Sequence, residues 1–312
     1  MIRGVKYSKG KTSSISINKV NLLRDTVWID ITTKDKKELK GLEKKFKLYS
    51  RDLEDSIDMH EIPRLASRKD YTFIVLRSLT DKGSSVPLGI FLSKRFIITV
   101  HPKEIKPLKK FFNVVLTKEG KEFFSRGQDF LFFKIASEIN RNLNGDLEKF
   151  DDKLDKLEDR VLNNKMEDSK DLLPLKKHLG YYKKALSSNR VIIEKLQNKA
   201  SRFISNQNYL DLNNLHVEFM QAESMVEFQR EKLTVVSEMH MTAISNRLND
   251  IMRSFTVLAS ILLLPMLISG IWGMNFANIP FYDSPYGFYV PLVIMIASII
   301  LLFVFFKHKK WV

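Results

Sequence analysis

Two long stretches without a charged residue lie near the C-terminal end of this chain, and they constrain its fold more than any other feature. Residues 254–282 contain no Asp, Glu, Lys or Arg, and neither do residues 284–306. Within these stretches, residues 255–272 and 288–306 are almost continuously apolar. Because each run approaches the roughly 20 residues that cross a bilayer as a helix, we predict two membrane-spanning helices joined by a short loop.

The charges beside the spans predict their orientation. Two arginines precede the first span and three lysines follow the second: Arg247, Arg253, Lys307, Lys309 and Lys310. The loop 273–287 contains no Lys or Arg and a single acid, Asp283. The positive-inside rule then places the protein in the cell (inner) membrane with both termini in the cytoplasm. The three lysines have two interpretations, an anchor to anionic lipid or a basic collar that takes part in gating.

Composition excludes several classes of protein. The chain has 51 Lys and Arg against 36 Asp and Glu, a formal net charge of +15, and no cysteine. The absence of cysteine excludes disulfides, thiolate zinc sites and a cysteine nucleophile. The lysines are scattered among acids, which is typical of a solvated surface, so we expect no nucleic acid partner. The chain has no glycine-rich phosphate loop, its histidines are isolated in sequence, and its start has no apolar signal segment. We therefore expect no enzyme activity and no cleaved secretory signal.

The first 130 residues are predicted to form an α/β cytoplasmic domain. Residues 34–47 have a helical pattern, with Leu39, Leu42 and Phe46 at spacings of three and four. Apolar and β-branched runs, separated by polar turns, predict strands at 14–20, 26–31, 71–79, 88–92 and 95–100.

Residues 131–208 are predicted to be cytoplasmic helices that include an acidic helical hairpin. Apolar residues recur at steps of three and four within 145–162 and again within 175–203, where Asn189 is the one polar interruption. Two such series joined by a polar break predict an antiparallel pair of helices. The first arm and the tip of the hairpin are rich in acidic residues, and those at the tip include Glu167, Asp168 and Asp171.

A single very long helix is predicted to follow. Residues 209–264 contain neither Gly nor Pro, and a helix from 209 to about 272 would span roughly 90 Å at 1.5 Å per residue. It would pass from a cytoplasmic stalk into the first membrane span without a break. The predicted divisions of the chain are therefore 1–130, 131–208, 209–254, 255–272, 273–287, 288–306 and 307–312.

One face of this long helix has a regular pattern. Polar and then apolar residues recur at steps of three and four: Asn249, Met252, Phe255, Ala259, Leu263 and Met266. A ring of such faces from several chains would form a narrow apolar constriction, which blocks ions by excluding water. Ordinary packing between helices explains the same periodicity. The spans contain no ionisable residue, so we expect no proton relay within the bilayer.

A short motif follows the first span directly. Gly273-Met274-Asn275 resembles the Gly-Met-Asn signature of the CorA family of magnesium channels, and its position before a short loop, a last span and a basic tail is the family's arrangement. The cytoplasmic part agrees at residues 27–30 (VWID), at 53–55 (LED) with Pro63 after it, and at 71–76 (YTFIVL). The resemblance covers nearly the whole chain.

The resemblance implies a homopentamer with a pore along the long helix. Gly273, Met274 and Asn275 would form a selectivity filter whose neutral oxygens bind the water shell of Mg²⁺, an ion that loses water reluctantly. The glycine would supply the unhindered backbone that a helix end needs. Asn249 matches a polar ring and Glu238 an acidic ring, whereas Met252 and Phe255 match a hydrophobic gate. Ala259, Leu263 and Met266 would line the turns between the gate and the filter.

The resemblance also implies regulation by the transported ion. Intracellular Mg²⁺ would bind between neighbouring cytoplasmic domains and stabilise the closed state. Asp55 matches one ligand and Glu54 assists it, whereas the second ligand position falls on Asn214, with Glu218 nearby. Co²⁺ or Ni²⁺, or zinc, remain alternative substrates of the same scaffold, and a membrane-anchored coiled-coil scaffold is the alternative of another class.

Overall fold

The computed structural model describes residues 1–79, 84–163, 172–198, 201–275, 279–281 and 284–311. The chain divides into two compact units, Met1–Val236 and Ser237–Val312. The α/β domain, the long helix and the C-terminal apolar helix are all present, so the predicted fold class is confirmed.

The N-terminal unit is built on a sheet with the strand order β2-β1-β3-β7-β6-β5-β4. Strands β3 and β7 pair in parallel, and the other neighbouring pairs are antiparallel. The strands are β1 (Ile2–Ser8), β2 (Lys11–Ser14), β3 (Thr26–Thr32), β4 (Leu65–Ser67), β5 (Thr72–Leu79), β6 (Ser85–Leu92) and β7 (Phe96–His101).

Helices cover both faces of this sheet because its strands alternate apolar residues between two cores. Ile29 and Phe73 belong to a core completed by two short helices, α1 (Lys36–Phe46) and α2 (Ser50–Asp55). Trp28 and Ile74, one position along, belong to the larger core on the opposite face. That core is completed by α3 (Lys106–Val115), α4 (Lys118–Ser125) and the long helices that follow.

Two features of the sheet differ from prediction. The strand predicted at 14–20 is wrong: the segment contains a 3₁₀ turn at Ile17–Lys19, and Ile15 and Ile17 pack against the smaller core without joining a strand. Strands β1, β2 and β4 were not predicted. β1 has polar residues and a glycine where a regular apolar alternation would signal a strand, and its pairing with β3 is a long-range contact.

A buried polar network explains the sequence VWID at residues 27–30. The Trp28 indole donates to the hydroxyl of Thr99 at 3.1 Å, and that hydroxyl donates to Asp30 at 2.6 Å. Asp30 also binds Arg3 at 2.7 Å and His101 at 3.1 Å. Burial raises the pKa of Asp30, but the hydrogen bond and charge of His101, with Arg3 and Thr99, outweigh it and lower that pKa overall. The network therefore locks β1, β3 and β7 together around an ionised carboxylate.

Three long helices complete the unit, and they revise the predicted hairpin. The arm predicted at 145–162 is the second half of a 35-residue helix, α5 (Gln128–Leu162). The second arm, α6 (Leu172–Gln197), ends before Phe203, which lies in a turn. The predicted acidic tip at Glu167, Asp168 and Asp171 lies outside the described residues. The third helix, α7 (Tyr209–Trp272), runs parallel to α5, because the contacts Ser137–Glu218 and Leu147–Gln229 keep a nearly constant offset.

The long helix is continuous, as predicted. α7 (Tyr209–Trp272) has 64 residues and passes Pro265 without a break. The second predicted span, 288–306, corresponds to α8 (Tyr289–His308).

Candidate functional site

Two apolar helical segments dominate the C-terminal unit. The end of α7 and the whole of α8 are strongly hydrophobic, and very little of either segment is buried within the chain. Both helices are long and apolar enough to cross a membrane. A core helix of a soluble protein would be mostly buried, so this exposure favours the predicted membrane spans.

One face of each helix is covered by the other. The less exposed positions of α7 recur at steps of three and four, and so do those of α8: Val257, Ile261, Leu264, Ile268 and Trp272, then Pro291, Met295, Ser298, Leu302 and Phe306. Within this unit the two helices supply the burial for each other, as in an antiparallel helical pair. The seam sets which face of α7 is left uncovered.

The predicted pore stripe lies on that uncovered face. At 100° per residue, the stripe is centred roughly opposite Val257, the most buried residue of the spanning part of α7. Its large side chains are highly exposed within one chain: Met252 63%, Phe255 64%, Leu263 64% and Met266 71%. Asn249, Ala259 and Glu238 are exposed as well. Packing against α8 therefore does not account for the stripe.

The Gly-Met-Asn motif lies where α7 ends. The Gly273 amide donates to Ser269 O at 2.9 Å, and the Met274 amide donates to Ile271 O at 3.3 Å, which closes the last turn. The unhindered backbone predicted at Gly273 does not involve a positive φ, which this glycine lacks. Space is the reason: a Cβ at this position would lie 3.1 Å from the Ser269 carbonyl oxygen. Asn275 follows this turn and is exposed, whereas Asp283 lies outside the described residues.

The basic tail begins at the opposite end of α8. Lys307, Lys309 and Lys310 are exposed. Beside them, Trp311 stacks on the buried Phe306, with ring centroids 5.7 Å apart. The Arg253 guanidinium lies 6.0 Å from the centroid of the Trp311 ring. The tail and the last charge of α7 therefore lie at the same level of this unit.

The predicted regulatory carboxylates lie on α2, whose position depends on a close approach to the sheet. Ser56, directly after α2, sits against Gly89 of β6, where a Cβ would lie 2.0 Å from the Ser56 Oγ atom. Asp55 is partly exposed and is ion-paired to Arg64. Glu54 binds Lys36 at 2.7 Å on the surface.

Arg64 is the part of this site that sequence reasoning missed. Its guanidinium also lies 3.3 Å from Asp52 and 3.3 Å from Glu61. With Asp55, this one cation therefore contacts three carboxylates. Burial raises the pKa of Glu61, and the charge of Asp55 raises it further. The loop that carries Arg64 has no periodicity, and only its position directly after Pro63 could have drawn attention to it.

Asp52 forms the rigid floor of this cluster. It is fully buried and binds Arg68 at 2.7 Å and the Tyr71 hydroxyl at 2.7 Å. The hydrogen bond to Asp52 raises the pKa of Arg68, and burial raises the pKa of Tyr71. Arg68 therefore stays charged at physiological pH, and these contacts of Asp52 hold the helix that carries Glu54 and Asp55.

The long-helix candidates lie on α7, and the structure does not join them to α2 in a metal centre. Asn214 is exposed, and Glu218 accepts a hydrogen bond from Ser137 at 3.2 Å. The nearby Asp211 is paired with Arg126 at 2.7 Å. Across the described residues of this one chain, no group of three or more His, Asp or Glu side chains could hold a metal ion.

Comparisons by family model, by sequence and by structure all relate this chain to the same family of proteins. Residues 24–308 match the protein-family model described as CorA-like Mg²⁺ transporter protein. A cobalt/magnesium transport protein CorA from Methanocaldococcus jannaschii is 29% identical over 92% of this chain and 91% of its own length. The CorA cobalt/magnesium transport protein of Thermotoga maritima is 24% identical over 91% of this chain and 83% of its own. The complete structure of the Methanocaldococcus jannaschii CorA magnesium transporter superposes with a TM-score of 0.89 at 27% identity, covering 100% of this chain and 99% of that one.

Proposed function

We propose, from the premise that the chain belongs to the CorA-like Mg²⁺ transporter family, that it is a membrane channel carrying Mg²⁺, and also Co²⁺, into the cell. The observation that carries this proposal is the uncovered stripe on α7, which leads directly to Gly273-Met274-Asn275. Two spans cannot enclose a pathway alone. We therefore infer a homopentamer in which five α7 helices surround the pore and α8 faces lipid.

Magnesium chemistry suits the proposed filter. Mg²⁺ holds its water shell tightly, so a filter that binds the hydrated ion needs hydrogen-bond acceptors more than direct ligands. Five Asn275 amides, with the carbonyls beside Gly273 and Met274, would provide them. A carboxylate ring would hold the divalent ion more strongly and release it slowly.

The stripe then takes two roles along the pore. Asn249 and Glu238 provide polar and acidic rings on the cytoplasmic side, where they attract cations. Met252 and Phe255 form the apolar gate, which stops ions when the ring is narrow enough to exclude water. Ala259, Leu263 and Met266 line the path between gate and filter.

Closure is proposed to depend on Mg²⁺ bound between neighbouring cytoplasmic units. Asp55 and Glu54 of one copy would face Asn214 and Glu218 of the next, so the ion stabilises the closed pentamer. Lys307, Lys309 and Lys310 act mainly as an anchor for anionic lipid on the cytoplasmic side, in keeping with the exposure of all three.

Uptake into liposomes tests the pore directly. The full-length protein would be reconstituted with a Mg²⁺-sensitive dye inside the vesicles, as wild type and as Asn275→Ala. We expect wild-type uptake and a loss of at least about tenfold in the variant, because five hydrogen-bond acceptors disappear together. Co²⁺ and Ni²⁺ would be compared in the same assay.

Asn278→Ala is the matched control, because it makes the same substitution in the same loop but outside the Gly-Met-Asn motif. It should retain most of the uptake. Full uptake by Asn275→Ala would show that Asn275 is not part of a filter. No uptake by the wild type would contradict the channel itself and favour a membrane-anchored scaffold.

A further inference from the structure

A cavity of about 420 Å³ in the N-terminal unit has four lysines among its described lining residues. Helices α3, α5 and α6 all contribute to it. Among the described lining residues the charged and ionisable side chains are Lys106, Lys110, Lys149, Lys153, His178 and a single carboxylate, Asp146. The carboxylate is already engaged, since Asn142 and Lys149 each lie 3.3 Å from its oxygens. Among the described lining residues, lysines therefore outnumber carboxylates four to one.

The cations of α5 continue beyond this cavity along one helical face. Their spacing of four, three and four places them in one row: Lys149, Lys153, Lys156 and Arg160. A neighbouring cavity of about 370 Å³ shares Lys153 and His178 with the first and is also lined by Lys156 and Arg160. The row extends over about 16 Å at 1.5 Å per residue, which is longer than a single phosphate group.

Among the described residues, the acids of α5 form no ion pair with Lys153 or Lys156 of this row. Asp151 and Asp155 lie on another face of the helix, where both are paired with Lys232 of α7. Asp152 and Asp159 lie closer to the row of cations around the axis of α5, but neither lines either of the two cavities. Asp151 and Asp155 thus face α7, whereas Lys149 and Lys153 line the cavity with residues of α3 and α6.

Other groups of the cavity suit an anionic ligand that also has an apolar part. Burial raises the pKa of Tyr182, and the nearby charge of Asp146 raises it further, so its hydroxyl stays protonated and can donate. Leu79 and Phe150 provide buried apolar surface beside that donor.

We propose that this basic groove between α3, α5 and α6 binds a linear phosphate chain, as carried by a nucleoside di- or triphosphate or by inorganic polyphosphate. Lysine ammonium groups bind phosphate as point charges, and several of them in a row favour a chain over a single phosphate. The apolar wall would add contact with a nucleoside but none with the inorganic chain.

Titration calorimetry on the full-length protein in detergent, with excess EDTA, tests the groove. The probes are ATP and inorganic tripolyphosphate. We expect saturable binding that weakens as salt is raised. The double variant Lys149→Gln/Lys153→Gln should bind at least about tenfold more weakly, because two charge-assisted contacts are lost. Tighter binding of ATP would assign the ligand as a nucleotide, and equal binding would assign it as the phosphate chain alone.

Lys40→Gln/Lys44→Gln is the matched control, because these two lysines have the same spacing and lie exposed on α1. It should bind like the wild type. Asp146→Asn should act in the opposite direction and tighten binding severalfold, since it removes the one described lining carboxylate. No saturable binding by the wild type, equal losses in both double variants, or weaker binding by Asp146→Asn would each overturn the proposal.

Discussion

At the scale of single residues, Arg64 would compete with any ion that binds at the proposed regulatory site. Its guanidinium is ion-paired to Asp55 and also lies near Asp52 and Glu61. A divalent ion that binds Asp55 must compete with this internal cation or share the carboxylate with it. If Asp55 binds the ion as proposed, Arg64 would therefore set its affinity without touching the ion.

We predict that Arg64→Met tightens Mg²⁺ binding at this site. Methionine keeps an apolar stem beside Phe73, over which the guanidinium now lies. The Asp55–Arg64 pair is partly exposed, so its loss is worth roughly 1 kcal/mol, or about a fivefold lower apparent Kd. Protection of the full-length protein against trypsin, measured across Mg²⁺ concentrations, gives that Kd.

Two further variants complete this test. Asp55→Asn should weaken the protection, because it removes the proposed ligand, and Arg24→Ala should leave it unchanged, because Arg24 is exposed elsewhere on the same unit. Identical Mg²⁺ dependence in Arg64→Met, Asp55→Asn and the wild type would argue that Asp55 does not bind the ion.

At the scale of elements, Asn189 explains the polar interruption in the apolar series of α6. Its side chain accepts from the Arg77 amide at 2.7 Å and donates to the Arg77 carbonyl at 2.8 Å. The edge strand β4 pairs with β5 only as far as Ile74, so Arg77 lies on a part of that edge without a neighbouring strand. Asn189 therefore takes the place of the missing strand and joins α6 to the sheet.

We predict that Asn189→Ala lowers the free energy of unfolding by about 2–4 kcal/mol, because two buried backbone groups lose their partner. Thermal denaturation of the full-length protein, followed by circular dichroism, would show a lower Tm. The adjacent Ser188→Ala is the control and should melt close to the wild type. A Tm for Asn189→Ala equal to that of the control would show that water satisfies the strand edge instead.

The same scale separates the two faces of α7. Both faces of its spanning part are apolar, so hydrophobicity alone does not distinguish packing from pore lining. The seam with α8 takes the face that contains Val257, which leaves Phe255 and Met266 uncovered. The periodicity picked out the stripe, but only the structure shows that these residues stay exposed within one chain.

At the scale of the whole molecule, charge is distributed along the chain in a way that predicts its orientation in the membrane. The loop 273–287 has no Lys or Arg, whereas basic residues flank the spans on their other side. We therefore expect the loop outside the cell and both termini inside.

The absence of native cysteine makes this orientation easy to measure. We predict that Tyr286→Cys, in the loop, reacts with a membrane-impermeant maleimide in intact cells. Lys309→Cys, in the tail, should react only after permeabilisation. The unmodified cysteine-free chain gives the background, and the reverse labelling pattern would contradict the proposed orientation.

The sequence by itself determined the spans, the long helix, the α/β class of the first unit and the family. These follow from local properties: an uncharged run long enough for a bilayer, a 3.6-residue period, and a short motif beside a span. Its errors also have local causes, since the alternation of Ile15 and Ile17 imitated a strand and the polar β1 lacked a strand signal.

Only the tertiary structure decided which groups meet across the chain. It joined Asp30 to His101, Asn189 to Arg77, Asp55 to Arg64, and the lysines of α3 to those of α5 around one cavity. Most of these partners lie far apart in sequence, and the nearest of them share no helical or strand period. These contacts depend on the order of the strands in the sheet and on how the helices cross, and no local sequence pattern encodes either. The ion pairs and the basic groove therefore became visible only in the folded chain.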